Sequence, residues 1–127
     1  MILPFLTVAP SPKGGNGVFT TENIAAGIVI EISPVLVFSS VERKKAEETK
    51  LYDYFFEWGN DGTKGALGLG YISIYNHDYD ANCDYDMDFA HELMTITTVK
   101  DIKKGEELFI NYNASPASKK PVWFNAI

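Results

Sequence analysis

Hydrophobic and polar residues alternate in short segments along this chain, and glycine or proline separates most of the segments. The segments are rich in Val, Ile, Phe, Tyr and Thr, which favour pleated, half-buried backbone. The pattern therefore predicts a mainly β protein. A tight turn that leads into a strand is predicted for PKGGNGVFTT, because glycine adopts positive φ without strain. Near the other end, two strands around a turn are predicted for ELMTITTVKDIKKGEELFINY.

The longest apolar run, IVIEISPVLVFS, follows an Ala-Gly turn at residues 26 and 27. A nearly continuous run of this kind predicts a strand that is covered on both faces. Pro34 has no amide proton to donate, so we expect it to end this strand or to place it at a sheet edge.

One segment is predicted to be helical, from about residue 40 to residue 58. Ser39 or Ser40 can cap it, and acidic and basic residues mix through its first half. Its end is crowded with aromatic residues, which are Tyr52, Tyr54, Phe55, Phe56 and Trp58. Such a cluster is more often core than binding surface.

Length and charge limit the classes of function. At 127 residues the chain is predicted to be one domain, residues 1–127, because two separate cores would be too small. The N-terminal MILPFLTVAP has no basic region and contains two prolines, so we predict a cytoplasmic protein without membrane association. The formal net charge of −6 argues against nucleic-acid binding and favours a cationic partner, although solubility alone can also explain an acidic surface.

His77 lies in ISIYNHDYDANCDYD, beside the chain's only cysteine, Cys83. A zinc or iron site would need further ligands, and His91 is the only other histidine. A nucleophilic cysteine would need a glycine-rich elbow or the start of a helix around it, and the sequence around Cys83 has neither. A calcium loop is also excluded, because Phe89 and Thr95 stand where its glycine and glutamate are required. We predict no metal site.

The aspartates after Cys83 occupy every second position, at Asp84, Asp86 and Asp88. If this segment is a strand, alternation places all three on one face. The prediction is a solvated acidic face rather than a ligand set.

Three motifs follow one another along the chain. The first is a turn of Gly15, Asn16 and Gly17 that leads into Val18 and Phe19. The second is the pair Asn76 and His77, and the third runs from Gly105, Glu106 and Glu107 through Asn111 to Tyr112. In this order and over residues 10 to 124, the chain resembles the SET-domain protein lysine methyltransferases, in particular the compact bacterial and viral type without zinc-binding flanks.

The resemblance implies a mainly β fold, the β-clip of several small sheets, with one helical insert and a knot-like threaded C-terminal region. It implies S-adenosylmethionine as the methyl donor and a basic protein or peptide carrying lysine as the substrate. We also expect a homodimer, because the chain has many aromatic residues for its size.

The resemblance assigns roles to individual residues. Tyr112 would be the catalytic residue, whose hydroxyl orients the methyl group and the incoming amine. Cofactor-binding residues would be Gly15, Asn16, Gly17, Asn76 and His77. Substrate-channel residues would be Tyr54, Tyr71, Trp123 and Phe124. His77 would contact the cofactor through its backbone and would not act as a general base.

Three residues depart from the family pattern: Asp78 stands where Ser is usual, Ala81 where Pro is usual, and Ile72 where compact members often have Gly. They lie in the segment assigned to the cofactor. They leave open an alternative function, a catalytically weak SET-like domain that binds a partner protein or an adenosyl ligand without turnover.

Overall fold

The computed structural model describes residues 1–112, which form nine β-strands, one α-helix and one 3₁₀ turn. The strands are β1 (Leu6–Pro10), β2 (Asn16–Thr20), β3 (Val29–Phe38), β4 (Phe55–Trp58), β5 (Lys64–Gly68), β6 (Asn76–His77), β7 (Cys83–Asp88), β8 (Leu93–Thr98) and β9 (Glu107–Ile110). Helix α1 is Ser40–Ala46, and the 3₁₀ turn is Lys50–Asp53. The predicted mainly β fold is confirmed.

Two sheets contain all nine strands. One has the order β1-β2-β9-β6, and the other has the order β4-β5-β3-β8-β7. All pairs are antiparallel except β6 with β9, which run parallel. One buried cluster includes residues from both sheets, such as Val18 of β2, Ile30 of β3, Met94 of β8 and Leu108 of β9. Ile102, Leu108 and Ile110 belong to this shared core, which therefore holds β9 and the residues just before it in place.

The predicted helix from 40 to 58 is wrong in its second half. Helix α1 begins after Ser39, whose side chain accepts from the amide of Glu42 while the Glu42 carboxylate accepts from the amide of Ser39. The helix ends at Ala46, and the aromatic residues that follow the 3₁₀ turn form strand β4 against β5. All three aromatic residues of β4 are buried, so the prediction of a core position is confirmed for Phe55, Phe56 and Trp58, whereas Tyr54 is exposed and Tyr52 is half-buried.

Strand β3 differs from its prediction in two respects. It does not end at Pro34, and it lies in the middle of its sheet, because residues 29–34 pair with β8 and residues 35–38 pair with β5. The proline lies where the pairing changes from one neighbour to the other, which is why its missing amide is tolerated. The strand is also not covered on both faces, since Ile32, Pro34 and Leu36 are exposed.

The predicted glycine turn and the predicted alternation of aspartates agree with the structure. The turn before β2 contains Gly14 at φ 100° and Gly15 at φ 61°. In β7 the aspartates alternate with buried Cys83 and Tyr85. Burial raises the pKa of the Cys83 thiol to about 12, so it is not a nucleophile at neutral pH. Within residues 1–112, no helix is long and apolar enough to cross a membrane, and no three acidic, histidine or cysteine side chains are grouped as metal ligands.

Candidate active site

The three sequence motifs meet beside strand β9. The side-chain amide of Asn76 donates to the carbonyl oxygen of Asn16 at 3.1 Å and to the carboxylate of Glu107 at 2.8 Å. The other carboxylate oxygen of Glu107 accepts from the hydroxyl of Ser11 at 2.7 Å. Residues far apart in sequence therefore form one hydrogen-bonded cluster.

Gly17 is required at this cluster for space rather than for an unusual backbone angle. It lies in strand β2, and it pairs with Ala9 of β1. A Cβ atom at this position would overlap the carboxylate of Glu107 and would lie 2.9 Å from Nδ2 of Asn76. The glycine thus allows both side chains to approach the turn. Positive φ belongs to Gly14 and Gly15, which precede it.

His77 is buried, and both of its ring nitrogens can be assigned. Nδ1 accepts from the backbone amide of Tyr112 at 3.1 Å, so Nδ1 carries no proton. Burial lowers the pKa of His77, with Asp78 opposing that effect and Lys13 adding to it, so the ring is neutral at pH 7 with its proton on Nε2. Among residues 1–112, this buried Nε2 has no hydrogen-bond partner.

The segment after His77 curls around strand β9. The amide of Asp78 donates to the carbonyl of Ile110 at 3.2 Å. Further along, the side chain of Asn82 donates to the carbonyl of Glu107 at 2.9 Å and accepts from the amide of Phe109 at 2.8 Å. Backbone groups at both ends of β9 are thus held by one short stretch of chain. This is the knot-like region that the resemblance implies.

Tyr112 is the second residue after this enclosed strand, and several neighbours hold it in place. Its hydroxyl donates to the carbonyl oxygen of Tyr75 at 2.5 Å, and its own carbonyl accepts from the hydroxyl of Tyr85 at 2.9 Å. Its ring packs on Phe56 and His77, with ring centroids 5.8 and 5.1 Å away. Burial raises the pKa of Tyr112, so the hydroxyl keeps its proton at neutral pH.

The predicted channel residues fall into three groups. Tyr54 is 44% exposed and lies close to Tyr112. Tyr54 and the exposed Asp53 both add to the rise in the pKa of the Tyr112 hydroxyl that burial causes. Tyr71 is half-buried, and its backbone amide binds Glu31 rather than Tyr112. Trp123 and Phe124 lie outside the described residues.

Phe56, Tyr75 and Tyr85 contact Tyr112, although the sequence did not mark them as site residues. Tyr75 had one available signal, because it directly precedes the Asn76-His77 pair. The sequence predicts Phe56 as a core residue, and only the pairing of β4 with β5 brings its ring against Tyr112. Tyr85 lies at an inward position of β7, which only the alternation with aspartate indicates.

The three residues that depart from the family pattern have different environments. Ile72 and Ala81 are buried and apolar, so they replace the usual residues without disturbing a polar contact. Asp78 forms an ion pair with Lys13 at 3.1 Å. Burial opposes ionisation of Asp78, but the amide of Asp80 and the ammonium group of Lys13 lower its pKa overall. Asp78 therefore carries its charge at neutral pH.

A cleft of about 370 Å³ opens beside Asp78 and strand β9. Its lining residues are mostly acidic and comprise Asp78, Asp80, Asn82, Lys100, Asp101, Glu106, Glu107 and Phe109. The single ammonium group in this lining, that of Lys100, is paired with Asp80 at 2.7 Å. This side of the segment around His77 therefore favours positively charged groups.

Comparisons with known proteins agree with this geometry. The SET domain family profile matches residues 15–113. Over 109 residues the chain is 39% identical to the Schizosaccharomyces pombe protein named histone-lysine N-methyltransferase, H3 lysine-37 specific, and the match covers 84% of this chain and 72% of that protein.

Solved structures show the same fold. A Plasmodium falciparum candidate histone methyltransferase is 29% identical with a TM-score of 0.67, and the match covers 87% of this chain and 98% of that chain. A chain of the Chaetomium thermophilum polycomb repressive complex 2, bound to S-adenosylmethionine, is 26% identical with a TM-score of 0.71. That match covers 87% of this chain and only 15% of the much longer matched chain.

Proposed function

Because this chain belongs to the SET-domain family and is an S-adenosylmethionine-dependent protein-lysine methyltransferase, we propose that it methylates a lysine in a basic histone tail, with Tyr112 as the catalytic residue. The observation that carries the proposal is the convergence of the Gly15–Gly17 turn, the Asn76-His77 pair and Tyr112 around strand β9. The rest of the proposal assigns a task to each part of this cluster.

The residues around the cluster fit S-adenosylmethionine. Gly15 is exposed, and nothing lies within 4 Å of the place where a Cβ would be, so its backbone is open to a ligand. The buried Nε2–H of His77 is a donor without a partner among residues 1–112. Lys13 and Asp78 carry opposite charges, as do the carboxylate and ammonium groups of the cofactor. We assign cofactor binding to Gly15, Asn16, Gly17, Asn76 and His77.

When bound, S-adenosylmethionine supplies a methyl group on a positively charged sulfur. The task of the protein is to hold the lysine amine in line with that group and to exclude water. The Tyr112 hydroxyl donates to the Tyr75 carbonyl, and this bond fixes the direction of the hydroxyl, whose oxygen would orient polar groups in the site. Phe56 and Tyr85 give this site an apolar wall, which favours the neutral, reactive form of the lysine amine.

A basic substrate suits the charge of this protein. The chain has a net charge of −6, and Asp53 is exposed beside the aromatic residues near Tyr112. An acidic surface attracts a lysine-rich tail and speeds its encounter with the site. The S. pombe relative is named for a histone H3 lysine, which supports a histone as the first substrate to test.

The test is methylation of purified core histones with isotopically labelled S-adenosylmethionine. We expect label in a histone band, followed by loss of the label when the modified lysine, located by mass spectrometry, is replaced with arginine. An acidic protein of similar lysine content is the negative control. Label in both substrates would contradict recognition of a basic tail, and label in neither would contradict the histone proposal.

The alternative, a domain that binds a partner or an adenosyl ligand without turnover, is not favoured. Its motivation was the departures at Ile72, Ala81 and Asp78. The first two are buried apolar residues, and the third is paired with Lys13. None of these contacts removes the Tyr112 hydroxyl from the site.

Several broader expectations stay predictions. We propose a homodimer, supported by exposed apolar side chains at Leu36 (58%), Val41 (65%) and Leu51 (46%). Sedimentation at tens of micromolar tests it, and a single monomeric species would contradict it. The cytoplasmic location, the absence of direct nucleic-acid binding and the extent of the domain over residues 1–127 also stay predictions.

A further inference from the structure

Glu31 is a fully buried acidic residue that the function described so far does not use. Its side chain lies on β3, is 0% exposed, and forms no ion pair with a basic residue in the described part of the chain. Burying a carboxylate without a neighbouring cation is unfavourable unless several donors satisfy it. The position of those donors indicates what the residue does.

Among residues 1–112, three groups donate to the Glu31 carboxylate. The amide of Tyr71 donates to Oε2 at 2.8 Å, and the hydroxyl of Tyr75 donates to Oε1 at 2.7 Å. The third donor is the hydroxyl of Ser33, at 2.7 Å from Oε2. Glu31 therefore binds both ends of the segment 71–75, one through backbone and one through a side chain, while Ser33 lies on the same strand as Glu31.

Gly70 allows this close approach. It adopts φ 59°, and a Cβ atom there would lie 2.5 Å from both Oε2 of Glu31 and Oγ of Ser33. A larger residue would push the segment away from the carboxylate. The backbone before Tyr71 is thus shaped to bring the segment against Glu31.

The segment leads directly to the reacting group. Tyr75 is fully buried, its hydroxyl donates to Glu31, and its backbone carbonyl accepts from the Tyr112 hydroxyl. We propose that Glu31 is a positioning residue for methyl transfer: by holding Tyr71 and Tyr75 it fixes the carbonyl that orients the Tyr112 hydroxyl. This inference rests on the proposed catalytic role of Tyr112.

The chemistry of the Glu31–Tyr75 contact supports that role. Burial and the nearby Glu31 raise the pKa of the Tyr75 hydroxyl far above its usual range, so it always donates. A carboxylate offers two oxygens that can accept from all three donors, whereas glutamine offers one oxygen and an NH₂ group that cannot accept. A side chain of the same shape as Glu31 is therefore not sufficient, because a carboxylate is required to accept from all three donors.

The test compares Tyr75→Phe and Glu31→Gln with Ser33→Ala as the matched control. Tyr75→Phe keeps the ring and the carbonyl but removes the hydroxyl that Glu31 holds. Ser33→Ala removes a hydrogen bond of the same length from the same carboxylate, but the donor it removes lies on β3 and not on the segment 71–75. We expect a similar fall in melting temperature for Tyr75→Phe and Ser33→Ala.

The rate of methylation separates the two roles. We expect the single-turnover rate to fall about tenfold or more in Tyr75→Phe and Glu31→Gln, because small displacements of a reacting group lower rates strongly. KM for S-adenosylmethionine and for substrate should change little, and Ser33→Ala should keep the wild-type rate. An unchanged rate in Tyr75→Phe, or an equal loss in Ser33→Ala, would overturn the proposal. Tyr75→Phe decides the question if Glu31→Gln fails to fold.

A second readout needs no substrate. In protein labelled with ¹³C at the tyrosine ring carbon that bears the hydroxyl, the Tyr112 resonance is the one that disappears in Tyr112→Phe. We expect this resonance to shift in Tyr75→Phe and Glu31→Gln but not in Ser33→Ala. An unshifted resonance would reject the positioning role even if wild-type protein methylates histones. Absence of histone methylation together with the expected shifts would instead reject the proposed substrate.

Discussion

The backbone amide of Tyr112 donates to Nδ1 of His77. This hydrogen bond connects the last residue of the motif from Gly105 to Tyr112 with the last residue of the Asn76-His77 pair. The bond requires a neutral imidazole, because protonation of Nδ1 would remove its only lone pair in the ring plane. The acid-base state of His77 therefore affects the position of Tyr112.

Replacing His77 with Asn should reduce the pH dependence of stability. Burial lowers the pKa of His77 in the folded protein below its ordinary value of 6.5. As the pH falls below 6.5, the unfolded chain binds a proton before the folded chain does. The contribution of neutral His77 is thus complete above pH 6.5 and is lost as the pH falls through the lowered pKa.

His77→Asn keeps an acceptor near the position of Nδ1 but cannot titrate. We expect the free energy of unfolding, measured with urea from pH 7.5 down to 5, to fall less steeply in His77→Asn than in the wild type. His91→Asn is the control, since His91 is exposed and pairs with Asp88. Equal slopes in the wild type and His77→Asn would contradict the assignment.

Replacing Gly17 with Ala should weaken both folding and cofactor binding. The added Cβ would overlap the carboxylate of Glu107, which Ser11 and Asn76 hold in place. Overpacking of this kind lowers stability by about 1–3 kcal/mol. We expect the Kd for S-adenosylmethionine, measured by calorimetry, to rise about tenfold, which corresponds to about 1.4 kcal/mol.

Gly27→Ala is the matched control for Gly17→Ala. Gly27 has φ 83° and nothing within 4 Å of the Cβ position, so alanine there is strained without a collision. It should lose about 1 kcal/mol of stability and keep the wild-type Kd. A Gly17→Ala protein with unchanged Kd would remove this turn from the cofactor site.

Replacing Asn82 with Ala should destabilise the enclosed strand. The substitution removes the donor to the Glu107 carbonyl and the acceptor for the Phe109 amide at once. Each backbone group left without a partner in a poorly solvated place costs about 1–3 kcal/mol, so we expect a loss of roughly 2–4 kcal/mol in urea unfolding. The exposed Asn60→Ala is the control. A loss below about 0.5 kcal/mol, the range of ordinary surface changes, would contradict a structural role for Asn82.

Local chemistry made much of the fold predictable. The glycine turn before β2, the strands β8 and β9 and the alternating aspartates of β7 depend on neighbours in sequence, and all three predictions are confirmed. The meeting of Asn16, Asn76 and Glu107 depends on distant contacts. The resemblance assigned Asn16 and Asn76 to one cofactor site, but nothing in the sequence predicted that the Glu107 carboxylate would bind Asn76.

The errors came where tertiary pairing overrides local preference. Residues 55–58 form a strand because β5 pairs with them and buries their aromatic side chains, although the preceding sequence favours a helix. Glu31 was not recognised at all. Its only sequence signal was one acid within an apolar run, and that signal does not reveal that Tyr71 and Tyr75, 40 and 44 residues away, donate to it.

Replacing Tyr112 with Phe tests the catalytic assignment most directly. The ring contacts with Phe56 and His77 do not involve the hydroxyl, and the amide bond to His77 is made by the backbone, so packing should survive. If the hydroxyl orients the reacting groups, single-turnover methylation should fall by about two or more orders of magnitude while the Kd for S-adenosylmethionine barely changes.

If Tyr112 were only a core residue, the result would be different. Loss of its bond to the Tyr75 carbonyl would then lower stability by about 1 kcal/mol and leave methylation nearly intact. Tyr52→Phe provides the same chemical change in a ring that packs on Phe55 instead, and it should keep full activity. Melting temperature, Kd and single-turnover rate measured on both variants separate the two roles, because a destabilised but fully active Tyr112→Phe protein would show that the hydroxyl takes no part in methyl transfer.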